Sequence, residues 1–544
     1  HLCRCGTNNS TVSFAPHSRR DCLLTIVASL FTHISAMSLN ILMYVMVAGS
    51  SHVQFAEKLI AIMYENGHQV DVVMGMLNSR VTLKGNYGAR RMVPVAFPGE
   101  RHWGNVASHL QDPFAELSDW NRLKLQPDAF IDTAEEFCDA LLDSCEVAHL
   151  LTSNKYDLGL INGYDLCPFA LAQYYQISPV VSYVPTPIYP TQYYYAGLPE
   201  LPLYEDVLFL ASHDDRSSFS RRVLETIRAL KERYVHIKAH TAITNKFRAR
   251  FGNDFPDVRD IAMKTSLDFC NSHPLLEEPR PLSLRIRYIG GIGLSKRKPL
   301  SKDMDTMLNL APKGNVLFSL GTQIVPEKIT DDLKHVFIST FKRFPDYNFL
   351  WKFDGKTATN ASNIFNLNWL PQTDFLNDHR VVAFVSHMGL NSFTETAYAG
   401  VPVVAIPLFA DQVHNARRAK AIGIGEIVKN YEITEEYLYA ALAKVLHEKR
   451  YRNRAKEISR MIAEQPDKPQ RVFLEGIEFA AKFKNFSSHH RLEGASRHHF
   501  VQAGWDVAVF FTVIIVSFVF IASKCVFHVL RSLAGRIQLK YKVD

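Results

Sequence analysis

Short apolar runs alternate with helical patterns along most of this chain, and that alternation restricts it to an α/β architecture. NILMYVMVA (40–48) reads as a buried strand. SSHVQFAEKLIAIMYENGHQV follows, with Val53, Ala56, Leu59, Ile60 and Met63 at helical spacing and Asn66-Gly67 closing the helix; VDVVMG (70–75) is the next strand. Strand–helix–strand order marks a parallel sheet, because parallel strands need a crossover between them. The rhythm resumes at YDLGLING (156–163), a helix over 168–175 and PVVSYVP (179–185).

A second series follows. NVLFSLGT (315–322) is a strand, 327–343 a helix, and NFLWKF (348–353), VVAFVS (381–386) and VPVVAIP (401–407) are strands. Residues 432–464 read as helical, polar on one side. The two series meet near RPLSLRIRYIGGIGLSKRKPL (280–300), where Gly290, Gly291 and Gly293 suit an interdomain connection. With 544 residues, two large domains are expected, 39–285 and 286–485, as Rossmann-like doubly wound units facing each other across a cleft. Ligands of such sheets bind beyond the carboxyl ends of the strands. His52, Thr322 and His387 stand at strand-to-helix turns and should line the cleft.

The ends point to a membrane. Residues 1–18 are polar and unpatterned. Arg19-Arg20, CLLTIVASLF (22–31) and small residues around Ser35, Ala36 and Ser38 have the order of a secretory signal, giving an N-terminal extension and signal over 1–38; a buried strand is the plain alternative. VAVFFTVIIVSFVFIAS (507–523) has no charge and sits between Asp506 and Lys524. It is expected to be a transmembrane helix after a juxtamembrane segment (486–506). Lys524, Arg531, Arg536, Lys540 and Lys542 then place the tail, 524–544, in the cytosol and the preceding domains in the lumen. The final LKYKVD fits a dilysine signal for the endoplasmic reticulum.

The net charge of +7 is scattered, so nucleic-acid binding is not expected. Cys138, Cys145, Cys167 and Cys270 lie between signal and span; none forms a CxxC pair, so no metal site is expected, and a disulfide among them is permitted but unassigned. Asn360 and Asn485 head glycosylation sequons.

The turn SHMGLNS, between the strand at 381–386 and a helix ending at Gly400, carries His387, Gly389, Asn391 and Ser392 at a helix mouth, with Glu395 one turn inside. A helix start has unpaired N–H groups and partial positive charge and so holds anions. SLGT (319–322) ends the facing strand with a second glycine and hydroxyl. Together they describe a diphosphate site built from backbone. Alone, Asn391 reads equally as a helix cap.

WLPQTDFL (369–376) precedes that turn and PLFADQVHNA (407–416) follows it. With GSSHVQF and FSLGT, these segments make the sequence resemble the UDP-glycosyltransferase family, in particular its membrane-anchored animal UDP-glucuronosyltransferase type, over roughly residues 40 to 530. The resemblance implies a first domain that binds an acceptor and a second that binds UDP-sugar. Trp369 would stack on uracil with Gln372 beside it, and Glu395 would take the ribose hydroxyls. His387, Gly389, Asn391 and Ser392 would hold the diphosphate with Gly321 and Thr322. Asp411 and Gln412 would bind donor-sugar hydroxyls. Read singly, Trp369 is core, Glu395 a surface charge and Asp411 a turn residue. The family usually has a second glycine where Met388 stands; Met388 is either strained at positive φ or pointed away.

The resemblance also makes His52 the general base for an inverting, metal-independent transfer with no cofactor beyond the co-substrate, UDP-glucose or UDP-glucuronic acid. Outside it, His52 reads as a helix-capping histidine. The carboxylate that usually supports this histidine is replaced by Asn162, and Asp165 is the nearest substitute. Asn271 stands where glucuronic-acid users carry an arginine, which favours UDP-glucose, with Arg280 or Lys264 as other sources of charge. The expected partners are a small lipophilic acceptor, membrane lipid, and further copies or relatives in homo- or hetero-oligomers. The competing expectation is a catalytically weak relative that binds nucleotide sugar or a hydrophobic ligand, or modulates partner transferases.

Overall fold

The computed structural model describes residues 37–78, 81, 85–96, 113–115, 128–198, 219–295, 297–321, 328–353, 361–489, 491–492, 494–495, 499–502 and 504–540. The expected signal, the Asn360 sequon, Thr322 and the last residues of the tail lie outside them.

Two parallel sheets form. The first contains β1 (Asn40–Met46), β2 (Gln69–Met76), β3 (Arg91–Ala96), β4 (Leu158–Asn162), β5 (Val180–Val184), β6 (Asp268–Cys270) and β7 (Ile286–Tyr288), in the order β3-β2-β1-β4-β5-β6-β7. The second contains β8 (Asn315–Ser319), β9 (Asn348–Lys352), β10 (Ile364–Leu367), β11 (Val381–Ser386), β12 (Val403–Ala405) and β13 (Gly425–Ile427), in the order β10-β9-β8-β11-β12-β13. Central strands are buried over nearly their whole length, as helices on both faces require, which is why they read as continuous apolar runs. The edge strands β3, β7, β10 and β13, and the three-residue β6 beside β7, are short or polar strands that the apolar pattern did not show.

Chain order reverses between β1 and β4 in the first sheet and between β8 and β11 in the second. A crevice opens where neighbouring crossovers leave in opposite directions. His52 follows β1, Asn162 ends β4, Gly321 follows β8 and His387 follows β11, so the candidate residues sit at both crevices.

Two expectations need correction. A boundary at 285/286 would cut the first sheet, because β7 pairs with β6. The helix Pro469–Lys482 is sequentially part of the second unit but packs on the first sheet, burying Phe473 and Ile477 there, with Phe473 edge-on to Phe269 at 5.1 Å. The helical stretch expected over 432–464 forms as two helices, Glu435–His447 and Lys449–Glu464, because Glu448 is extended (φ −85°, ψ 106°) and caps both.

Between the lobes, the Tyr398 hydroxyl donates to the Gly290 carbonyl at 2.8 Å. A Cβ on Gly291 would stand 2.1 Å from the same hydroxyl, so the connection must be glycine there. Cys138 and Cys167 form a disulfide, tying the helix Asp128–Asp143 to Cys167–Tyr174. At the far end a helix runs from Trp505 to Lys540; its stretch Trp505–Ala534 is apolar and long enough to cross a bilayer, and continues past the expected end at 523.

Candidate active site

β11 delivers SHMGLNS to the helix Leu390–Ala399, whose N-cap is Gly389. Met388 answers its alternative both ways. Its φ is +63°, in the left-handed region, and its side chain is fully buried beneath the turn among Leu276, Phe393 and Ala405. Its N–H donates to Ser386 Oγ at 3.0 Å and its carbonyl accepts from Asn415 Nδ2 at 2.9 Å, so the strained turn is held from both sides. With the side chain turned inward, the backbone of 388–391 is left to face the crevice.

The His387 ring is wedged between two glycines: a Cβ on Gly321 would lie 2.6 Å from Nε2, and one on Gly389 2.7 Å. Gly321 has φ +85°. Burial pulls the His387 pKa down to about 4, against a hydrogen bond with the Ser319 backbone that raises it, so the ring is neutral at physiological pH. Asn391 is exposed at the helix mouth.

Glu395, one turn in, accepts from Thr373 Oγ1 at 2.8 Å and from Gln372 Nε2, which also donates to Ser392 Oγ at 3.1 Å. Burial raises the Glu395 pKa, and those two hydrogen bonds oppose it. The helix Gln372–Leu376 thus presents Gln372 and Thr373 as a clamp. Trp369, just before it, leaves 69% of its surface exposed with Lys352 Nζ 5.8 Å from the ring centroid, corrected from a core reading to an open aromatic platform.

Asp411 opens the helix Asp411–Ala421 after Ala410, a non-glycine at φ +53°. Asp411 accepts from Asn415 Nδ2 at 2.9 Å, and burial raises its pKa. Gln412 is buried, and its Oε1 accepts from the Leu408 and Phe409 N–H groups at 2.9 and 3.2 Å. That oxygen therefore fixes the preceding loop.

On the first lobe, His52 lies in the first turn of the helix Ser50–Glu65, partly buried, with Nδ1 3.4 Å from Ser51 Oγ. Burial lowers its pKa to about 4. The hydrogen bonds of the two expected supporters run elsewhere. Asn162 Oδ1 accepts the Tyr164 N–H at 3.1 Å. Asp165 accepts from the Tyr44 hydroxyl and the Cys167 N–H, each at 3.0 Å, and burial lifts its pKa to about 6. Asn271 donates to the Pro185 carbonyl at 3.1 Å, and Arg280 pairs with Glu277 at 3.1 Å, both groups being almost wholly buried.

Tyr164 stands beside His52 in the first lobe. Its ring is 6.1 Å from that of His52, and its hydroxyl bonds Thr186. Its phenol is raised chiefly by burial and further by Asp411 of the opposite lobe, as is that of Tyr189. Tyr164, Tyr189, Thr373 and Asn415 went unnoticed in the sequence; only Asn415, one helical turn from Asp411, carried a spacing signal. Among the described residues no cluster suited to a metal ion occurs.

The sequence matches the family model described as UDP-glucoronosyl and UDP-glucosyl transferase over residues 41–539. It is 28% identical to human 2-hydroxyacylsphingosine 1-beta-galactosyltransferase over 81% of this chain and 79% of the other. It is 26% identical to human UDP-glucuronosyltransferase 1A6 over 89% of this chain and 91% of the other. Among solved structures it is similar in fold to the glycosyltransferase VinC in complex with dTDP, at TM-score 0.55 and 15% identity, over 82% of this chain and all of that one. With two opposed parallel sheets of the GT-B kind and a family match across nearly its whole length, the chain belongs to the UDP-glucuronosyl and UDP-glucosyl transferases.

Proposed function

We propose that this protein is an inverting glycosyltransferase that moves a hexose or hexuronic acid from UDP-glucose or UDP-glucuronic acid to a hydroxyl of a small lipophilic acceptor, with no metal or resident cofactor. The observation that carries the proposal is the built turn at the mouth of Leu390–Ala399, with His387 between Gly321 and Gly389 and Glu395 held by Gln372 and Thr373, while His52 stands in the first helical turn after β1 at the other crevice. In this reading Trp369 carries the uracil, Glu395 the ribose, and the turn 387–392 with Gly321 and Thr322 the diphosphate. Asp411 and Gln412 orient the sugar. Neutral His52 accepts the acceptor proton while the acceptor oxygen bonds to the anomeric carbon. The bond from that carbon to the β-phosphate oxygen breaks, and its electrons leave with UDP toward the N-terminus of Leu390–Ala399. The site lies in the lumen of the endoplasmic reticulum, anchored by Trp505–Ala534, with the short tail in the cytosol.

A second reading is a family member that binds nucleotide sugar and turns over weakly. Its support is that Asn162 and Asp165 are engaged elsewhere, leaving the imidazolium formed in transfer without a neighbouring carboxylate from either. Incubating membranes holding the full chain with each radiolabelled donor and a panel of phenols separates the two. Labelled conjugate that disappears in His52→Ala supports transfer; donor binding without conjugate overturns it.

A further inference from the structure

The segment between β6 and β7 leaves the first sheet, reaches the second lobe and returns. Asn271 anchors its start, donating from Nδ2 to the Pro185 carbonyl at 3.1 Å, and Arg280 anchors its end, donating from Nη1 to the Ile188 carbonyl at 3.3 Å. Between these anchors the chain turns tightly: the Leu276 and Glu277 N–H groups both donate to the His273 carbonyl, at 2.8 and 3.1 Å. The turn drives Leu276 into the core of the second lobe, where it is buried with Met388, Phe393 and Ala416. The His273 ring stands edge-on to Tyr398 at 5.9 Å, and Arg418 donates from Nη2 to the Leu275 carbonyl at 3.3 Å. The segment is a strap fastened to both lobes.

Apolar packing accounts for Leu276 but not for its neighbour. Glu277 is 3% exposed and accepts from Arg280 Nη2 at 3.1 Å. His414 Nε2 lies 3.6 Å from the same carboxylate oxygen, and its side chain is equally buried. Burial raises the Glu277 pKa, but His414, Arg280 and Ser272 outweigh it, so the group is an ionised carboxylate sealed from water. A buried ion pair is costly to desolvate, and apolar side chains of similar volume would fasten the strap as well or better. Stability alone therefore does not call for a carboxylate here. His414 stands in the helix Asp411–Ala421, one turn after its first residue. Each residue of a helix is fixed at about 100° from the last, so a helix held at one side chain has the aim of its neighbours set as well.

We propose that Glu277 is a positioning residue for the donor sugar: held by Arg280 against the first lobe, it pins His414 and so fixes the rotation of the helix that opens with Asp411 and Gln412. Glu277 acts through His414 rather than by contact with the sugar. This inference rests on the reading of Asp411 and Gln412 as the residues that orient the sugar.

The test compares UDP with UDP-glucose and UDP-glucuronic acid on the full chain in membranes, each competing with radiolabelled UDP. UDP lacks the sugar and reads the uracil, ribose and diphosphate parts of the site alone. Glu277→Gln removes the charge at nearly constant shape. It should weaken the UDP-sugar that the parent binds more tightly by about tenfold and leave UDP within about twofold. His414→Gln keeps the Glu277–Arg280 pair and should give the same split, and the double variant should be no worse than either single one, because both act through one contact. Melting of each variant accompanies the binding, and should Glu277→Gln fail to fold, His414→Gln carries the measurement. Equal losses for UDP and UDP-sugar, or no loss for either, would make the contact a purely structural fastening and overturn the proposal. Asp411→Asn tests the reading beneath it. If that variant separates UDP-sugar from UDP as the parent does, Asp411 does not hold the sugar and the proposal falls with that reading. A sugar-specific loss in Asp411→Asn without one in Glu277→Gln or His414→Gln overturns the positioning role alone.

Discussion

The His387 imidazole lies against the Gly321 backbone so closely that a Cβ there would stand 2.6 Å from Nε2. Gly321→Ala therefore has to displace the ring and also adopts φ +85°, which costs an alanine about 1–2 kcal/mol. The displaced ring enters the space proposed for the diphosphate. UDP affinity should fall by about tenfold or more, for a loss of only a few degrees in thermal midpoint, as calorimetric titration and melting of the same preparation would show. Unchanged affinity would remove His387 from the diphosphate site.

Met388 sets strain against burial. A left-handed backbone costs a residue with a Cβ about 1–2 kcal/mol, whereas truncating a buried methionine costs about 2–5 kcal/mol. Burial is the larger effect, so both Met388→Gly and Met388→Ala should melt below the parent. Glycine relieves the backbone and alanine does not, so the glycine variant should be the more stable of the two. The reverse order would mean that φ +63° is not strained here.

Asp165 gives stability an unusual pH dependence. Burial lifts its folded pKa to about 6, above the unfolded value near 3.9. The native state therefore binds the proton more tightly than the unfolded chain. This group's contribution is greatest below pH 4 and is lost as pH rises to about 6, by on the order of 3 kcal/mol. Asp165→Asn should flatten that part of the profile, visible as a difference between the two proteins in midpoints across pH 4–7. With its oxygens on Tyr44 and Cys167, the same substitution should leave turnover per folded molecule within a few fold; a hundredfold loss would return Asp165 to the chemistry.

His52 is held near pKa 4 by burial, so it is the neutral, proton-accepting form above that pH. The acid limb of kcat/KM assigned to this base should fall near pH 4, well below the usual histidine range. His52→Ala should lower kcat by about 10²–10⁴-fold with UDP affinity unchanged. An acid limb near 6.5 that persists in the variant would assign the limb to another group.

Glu395 accepts one hydrogen bond on each oxygen within the protein, and a carboxylate has about four lone-pair sites. It retains acceptor capacity for a vicinal diol. Glu395→Ala should weaken UDP by about tenfold and weaken 2′-deoxy-UDP much less, measured by competition. Equal losses for both nucleotides would take the ribose away from Glu395.

The sequence by itself determined the α/β class, the apolar C-terminal helix and the residues of the second crevice. Central parallel strands are buried on both faces and so are written as unbroken apolar runs, and the turn residues follow them at short, fixed offsets. Edge strands such as β7 and β13 bury less and left no such mark. The return of Pro469–Lys482 to the first sheet was hidden, because its apolar face is compatible with either lobe. Tertiary structure alone decided the partners. Asp165 turned to Tyr44, 121 residues away in sequence, and Met388 turned into the core. Strand and helix periodicity are local in the chain, whereas hydrogen bonding, desolvation and charge act through space, so residues remote in sequence set how each side chain of the site is used.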